Sequence, residues 1–102
     1  MTEKHLNNSF LKIVRWRILV TLEAARPNNV SEHLIIQVLN DSECATLPFS
    51  IRRELDFLEL LQLIKIENKK KSPWIVSLTA EGMKVVQGLA DAPEGIARPE
   101  WE

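Results

Sequence analysis

The feature that most constrains this chain is a change of hydrophobic period near Leu61. Up to that point apolar residues recur at helical spacing in three separate segments. Beyond it, two short apolar runs, residues 63–67 and 74–78, flank the polar stretch Asn68-Lys69-Lys70-Lys71-Ser72. A period of 3.6 and a period near 2 cannot be satisfied by one backbone conformation. The pattern therefore predicts helices first, then a hairpin with a basic tip, then a return to helix. Pro73 suits the start of the second run, because a missing donor is tolerated at the first residue of a strand.

Residues 10–25, FLKIVRWRILVTLEAA, are apolar along two adjacent helical rows: Phe10, Ile13 and Val20 in one, Leu11, Val14, Ile18 and Leu22 in the other. Trp16 and Leu19 widen the arc, while Lys12 and Arg15 mark the side expected to meet solvent. Such width suits a central helix or one shared with a second subunit. Asn7, Asn8 or Ser9 can cap its start, and Arg26-Pro27 ends it, since proline disfavours a helical residue before it. A second helix is predicted over 32–39, with Ser31 as N-cap, Val30 and Ile35 as a hydrophobic staple, and Leu34, Ile35, Val38 and Leu39 facing inward. A third starts near Pro48, whose absent amide donor is harmless in a first turn, and runs to about residue 61. Ile51, Leu55 and Leu58 form its inward stripe, leaving Phe49, Arg52, Arg53 and Asp56 toward the outside. Thr79 can cap a fourth helix reaching about residue 89, with Met83, Val85, Val86 and Leu89 available for packing.

The expected fold class is mainly α with a small β hairpin, with Leu34, Val38, Ile51, Leu55, Leu58, Ile75 and Leu78 in one core. At 102 residues the chain has room for one domain. Residues 1–90 are assigned to that domain and residues 91–102 to an acidic, proline-containing tail. Residues 1–6 and most of 92–102 are expected to be less ordered than the body.

Charge narrows the partners only through its distribution. The net charge is −1, divided into +2 for the body and −3 for the tail. Cys44 is the only cysteine, which rules out an intrachain disulfide and an all-cysteine metal site and suits a reducing, cytoplasmic setting. No apolar run approaches the roughly 20 residues of a membrane span, and the opening MTEKHLNNSF lacks the order of a signal peptide. His5, His33 and Cys44 have no metal-ligand spacing, Ser50 has no nearby His and acid in a catalytic motif, and Glu54 and Glu59 read as helix-surface charge. No enzyme activity, cofactor or metal is expected.

Two stretches of wording carry a family resemblance. Ser50-Ile51-Arg52-Arg53-Glu54-Leu55, followed by Leu58-Glu59-Leu60-Leu61-Gln62-Leu63-Ile64, resembles the recognition helix and its lead into the wing in winged helix-turn-helix proteins broadly like the MarR and ArsR groups. Leu78-Thr79-Ala80-Glu81-Gly82 resembles the junction where the second wing strand of those proteins enters the last helix. The likeness spans about residues 13–89. In addition, Gly95-Ile96-Ala97-Arg98-Pro99 resembles an ending found in small proteins encoded in Mu-like prophages.

The resemblance implies a winged helix-turn-helix that binds double-stranded DNA as a small transcriptional regulator or accessory factor. By motif position, Ser50, Arg52 and Arg53 are the recognition-helix contacts, and an arginine can hydrogen-bond guanine in pairs. Asn68, Lys69, Lys70, Lys71 and Ser72 are the wing contacts to the DNA backbone or minor groove. A homodimer through the N-terminal helix, with the last helix as a further contact, would place two reading helices on half-sites about 34–36 Å apart. Glu54, Asp56 and Glu59 depart from a strongly basic recognition helix, and Asp56 repels phosphate unless it accepts from a cytosine amine or restrains an arginine. The alternative is therefore a winged-helix protein-interaction module in a phage-related process, using the third helix and the acidic tail. Trp16 reads as core or subunit packing. Trp74 either packs the wing or stacks on a nucleotide, and Trp101 either anchors the tail to its own domain, anchors it to a partner, or stays exposed.

Overall fold

The computed structural model describes residues 3–42, 48–67 and 69–98. Among these the order is α1 (Glu3–Ala25), β1 (Val30–Ser31), α2 (Glu32–Asp41), α3 (Pro48–Leu60), β2 (Ile64–Glu67), β3 (Ile75–Leu78) and α4 (Ala80–Val86). The helices and the hairpin follow the sequence pattern, with four corrections. α1 begins well before Phe10, so Asn7, Asn8 and Ser9 lie inside it. β1 is an added strand that makes a three-stranded sheet of order β1-β3-β2. α4 stops at Val86, short of residue 89. Leu34 is half exposed instead of buried, because the inward face of α2 is set by Glu32 and continues through Ile35 and Leu39.

α1 runs through the centre of the fold. Val14, Trp16, Ile18, Leu19 and Leu22 are all buried within one protomer. Around them pack Ile35 and Leu39 of α2, the α3 stripe Ile51, Leu55 and Leu58, and Val30, Ile64, Ile66 and Val76 from the sheet. Val38, Ile75 and Leu78, expected in the core, are only partly covered. Both strand pairings are antiparallel, Ile66 lying opposite Val76 and Lys65 opposite Ser77. Strand alternation turns Ile64 and Ile66 inward and leaves Lys65 and Glu67 outside.

Three local devices set where helices begin and end. Ser31 caps α2 by accepting from the Leu34 N–H at 3.2 Å. α3 closes with Gln62 in the left-handed region at φ 64°, while the Leu63 N–H reaches the Leu58 carbonyl and the Gln62 N–H reaches that of Glu59. That pair of bonds is a Schellman stop, and it turns the chain straight into β2. Thr79 caps α4 by accepting from Gly82, and its hydroxyl donates to the Gln62 carbonyl at 2.8 Å. A Cβ on Gly82 would lie 2.2 Å from the Leu63 carbonyl oxygen, so only glycine lets α4 approach the turn between α3 and β2 this closely. The Leu-Thr-x-x-Gly wording thus has a physical meaning here.

The chain beyond α4 returns to the body. Ile96 is buried in the core, the Ala97 N–H donates to the Lys12 carbonyl, and Arg15 donates to the Gly95 carbonyl. The segment through Arg98 is therefore packed, contrary to the looser tail expected from its composition. Arg15 is not on the solvent side either: it is half-buried and paired with Glu54, whose carboxylate is buried instead of lying on the helix surface. Residues 1–2, 43–47, 68 and 99–102, including Cys44 and Trp101, lie outside the described residues. Among the described residues no helix is long and apolar enough to cross a membrane.

Candidate nucleic-acid interface

α3 shows its outer face through Arg53, Asp56 and Leu60, which follow the row opposite the buried Ile51, Leu55 and Leu58. The wing rises beside this face, with Lys70, Lys71 and Ser72 exposed at its tip. Arg53, Lys70 and Lys71 have no acidic partner among the described residues. Ser50 is half-buried in the first part of α3, and Asn68 lies outside the described residues.

The two remaining basic residues are engaged. Arg52 donates from Nε and from a terminal nitrogen to the two Glu32 oxygens, at 2.9 and 3.0 Å. Its guanidinium carbon lies 4.6 Å from the centre of the Trp74 ring, and the same terminal nitrogen reaches Ser72 Oγ at 3.5 Å. Glu32 Oε2 also accepts from the Trp74 backbone N–H. Lys69 Nζ sits 2.6 Å from Asp56 and 2.7 Å from Glu59, so its charge is neutralised within the protein. Glu59 in turn accepts from the Ile66 N–H at 3.0 Å. Trp74 is buried, and its indole N–H donates to the Lys69 carbonyl at 3.0 Å. Of the two roles the sequence left open to it, it takes the packing of the wing.

Electrostatics follow from these contacts. Burial pushes the Glu32 carboxyl up, but the Arg52 guanidinium and the Trp74 N–H, with a smaller contribution from His33, hold it below its ordinary value of 4.5 overall. A carboxyl depressed in the folded state stabilises the fold fully above its unfolded value and loses that contribution as pH falls through the folded one. The wing is thus expected to loosen as the pH is taken down from 4.5. Following the indole N–H resonance of Trp74 against pH checks this; a resonance unchanged down to global acid unfolding would contradict it. Lys69 is held above its ordinary value by Asp56 and then Glu59, so it stays cationic throughout the neutral range.

The sequence marks the basic residues but not what holds them. Glu32 carries no local signal, because its partners are 20 and 42 positions away. The exposed acid on α3 is legible: Asp56 restrains a lysine of the wing, which is a variant of the restraining role considered for it on an arginine.

No family model matches the sequence, and no curated protein matches it. Among solved structures the fold is similar to that of a MepR mutant from a multidrug-resistant S. aureus clinical isolate, with a TM-score of 0.59 and 22% identity over 72% of this chain and 51% of that one. It is also similar to PadR of Bacillus subtilis, solved in complex with operator DNA, with a TM-score of 0.60 and 18% identity over 89% of this chain and 55% of that one. The chain spans about half the length of each. These likenesses establish the fold as a winged helix-turn-helix, with α2 and α3 as its helix pair and β2–β3 as its wing.

Proposed function

We propose that this chain binds double-stranded DNA, without enzyme activity, as a small regulator or accessory factor. The observation that carries the reading is the exposed cation set Arg53, Lys70 and Lys71, free of acidic partners among the described residues and presented by the two elements with which winged helices meet a duplex. The likeness to a protein solved with operator DNA supports it. Arg53 is the base-reading side chain, Ser50 a short-range contact, and Lys70, Lys71 and Ser72 contact phosphate. Arg52 and Lys69, grouped with them by sequence, tie the wing to α2 and α3 through ion pairs with Glu32, Asp56 and Glu59.

Titration of a labelled duplex at several salt concentrations tests this. Log affinity is expected to fall linearly with log salt. No binding at low salt by folded protein would move the assignment to the protein-interaction reading. One specific observation favours that second reading: Leu60 is 82% exposed on the outer face of α3, along the same row as Asp56. An apolar side chain beside an acid is a poor neighbour for phosphate.

The functional unit we propose is a homodimer. Most of the apolar width of α1 is used inside one protomer, but Phe10 and Ile13 remain exposed. An open groove of about 380 Å³ also runs between α1 and α2, lined by Arg17, Val20, Thr21, Ala24, Leu34 and Val38. Pairing through α1 would align two recognition helices on successive half-sites. Sedimentation over a dilution series is expected to show a dimer; a strict monomer at high concentration would leave one winged helix per binding event.

A further inference from the structure

Glu32 is only 3% exposed, although it opens a helix whose N-terminus would welcome a carboxylate in solvent. A buried carboxylate is costly unless it is paired and its lone pairs are filled. Its partners come from two separate elements: the Arg52 guanidinium on α3 and the Trp74 backbone where the wing tip enters β3. Arg52 then stacks on the Trp74 ring, and that ring holds the Lys69 carbonyl through its indole N–H. At the far end Lys69 is clamped by Asp56 and Glu59 of α3. The segment that carries Lys70 and Lys71 is consequently fixed at both ends to the helix that carries Arg53.

We infer that Glu32 is a positioning residue which, through Arg52 and Trp74, holds the wing tip against α3 so that Lys70, Lys71 and Arg53 address one duplex together. This rests on the DNA-binding reading. The geometry gives the reason: a wing joined to the body by two strands alone can swing at its tip, and a swinging lysine contributes to affinity only after its ordering cost is met. Glu32 touches no DNA in this arrangement. Its effect reaches the duplex through the placement of other side chains.

The test uses Glu32→Gln, which keeps the size but replaces one acceptor oxygen with a donor. That donor must face either Arg52 or the Trp74 N–H, so a hydrogen bond disappears along with the charge. In the free protein, hydrogen exchange of the amides of residues 69–76 is expected to accelerate while α1 stays protected; acceleration spread evenly over the fold, or none, would overturn the positioning role. On DNA, the pair Lys70→Ala and Lys71→Ala is made in both backgrounds. In the parent these substitutions are expected to lower the salt slope by about 2, and in the E32Q background by less than half as much. Equal effects in both backgrounds would mean that the lysines reach phosphate without Glu32, and the inference fails while the DNA reading stands. Absence of duplex binding by the parent would remove the DNA reading, and the exchange measurement would still decide whether Glu32 holds the wing.

Discussion

Arg15→Ala is expected to destabilise the fold by about 3–5 kcal/mol, the range for stripping one partner from a buried ion pair. Glu54 lies on the inner side of α3 with its side chain 3% exposed, and Arg15 Nε meets its carboxylate at 2.6 Å. The same guanidinium stacks 4.0 Å from the centre of the Phe57 ring and donates to the Gly95 carbonyl at 2.9 Å. Alanine would leave a buried charge without its partner and release the segment that carries Ile96 into the core. Removing both charges together should cost far less, because most of the penalty is the orphaned carboxylate. Arg15→Met combined with Glu54→Leu is thus expected to recover most of the loss in urea unfolding. A loss under about 1 kcal/mol for Arg15→Ala would be that of a surface pair and would refute the burial argument.

The second large effect is on binding. Replacing Lys70 and Lys71 together by alanine is expected to reduce the slope of log affinity against log salt by about 2, one for each phosphate no longer neutralised. A slope difference of that size makes the variant's disadvantage shrink roughly tenfold between 50 and 200 mM salt. The weakening should be similar for unrelated duplexes, since phosphates carry no sequence. Arg53→Ala should instead alter the preference among duplexes, with a paired contact to guanine worth about 1–3 kcal/mol. Lys69→Ala is the internal comparison. Its ammonium already has two carboxylate partners, so its removal exposes Asp56 and Glu59 and takes away no free phosphate contact. If Lys69→Ala lowered the slope as much as either neighbour, the clamp would not survive in the complex.

The parts of the fold written in local chemistry are legible in the sequence. Ser31 and Thr79 cap the helices they precede, and both use the side-chain oxygen as their residue type requires. The stripe Ile51, Leu55 and Leu58 is buried because successive turns of α3 repeat it on one face. The strands of the hairpin are marked by the alternation of Ile64 and Ile66 with Lys65 and Glu67. Where partners are distant, the signal disappears. Two residues of β1 cannot display a period, and their pairing depends on Val76 and Ile75 far along the chain. Leu34 looks inward because its apolar neighbours share its stretch of helix, yet α2 turns Ile35 and Leu39 into the core with Glu32, paired to Arg52, on the same face. Ile96 is a single apolar residue in a segment without periodicity, and nothing local distinguishes it from a solvated one.

The site divides in the same way. A run of three lysines at a hairpin tip is visible by composition, and so are two arginines in a helix. Which of them are engaged depends on Glu32, Asp56 and Glu59, whose pairings with Arg52 and Lys69 are made only by the fold. The basic set offered by sequence is larger than the set the fold leaves free.

DNA recognition by this face is tested most directly by a map of duplex contact on the isotopically labelled protein, from backbone amide shifts during titration at low salt. The largest changes are expected in residues 50–53 of α3 and 69–72 of the wing, with the α1–α2 groove unaffected. Shifts confined to that groove or to the packed segment 93–98, or none at all at saturating duplex, would contradict the assignment of this face to DNA.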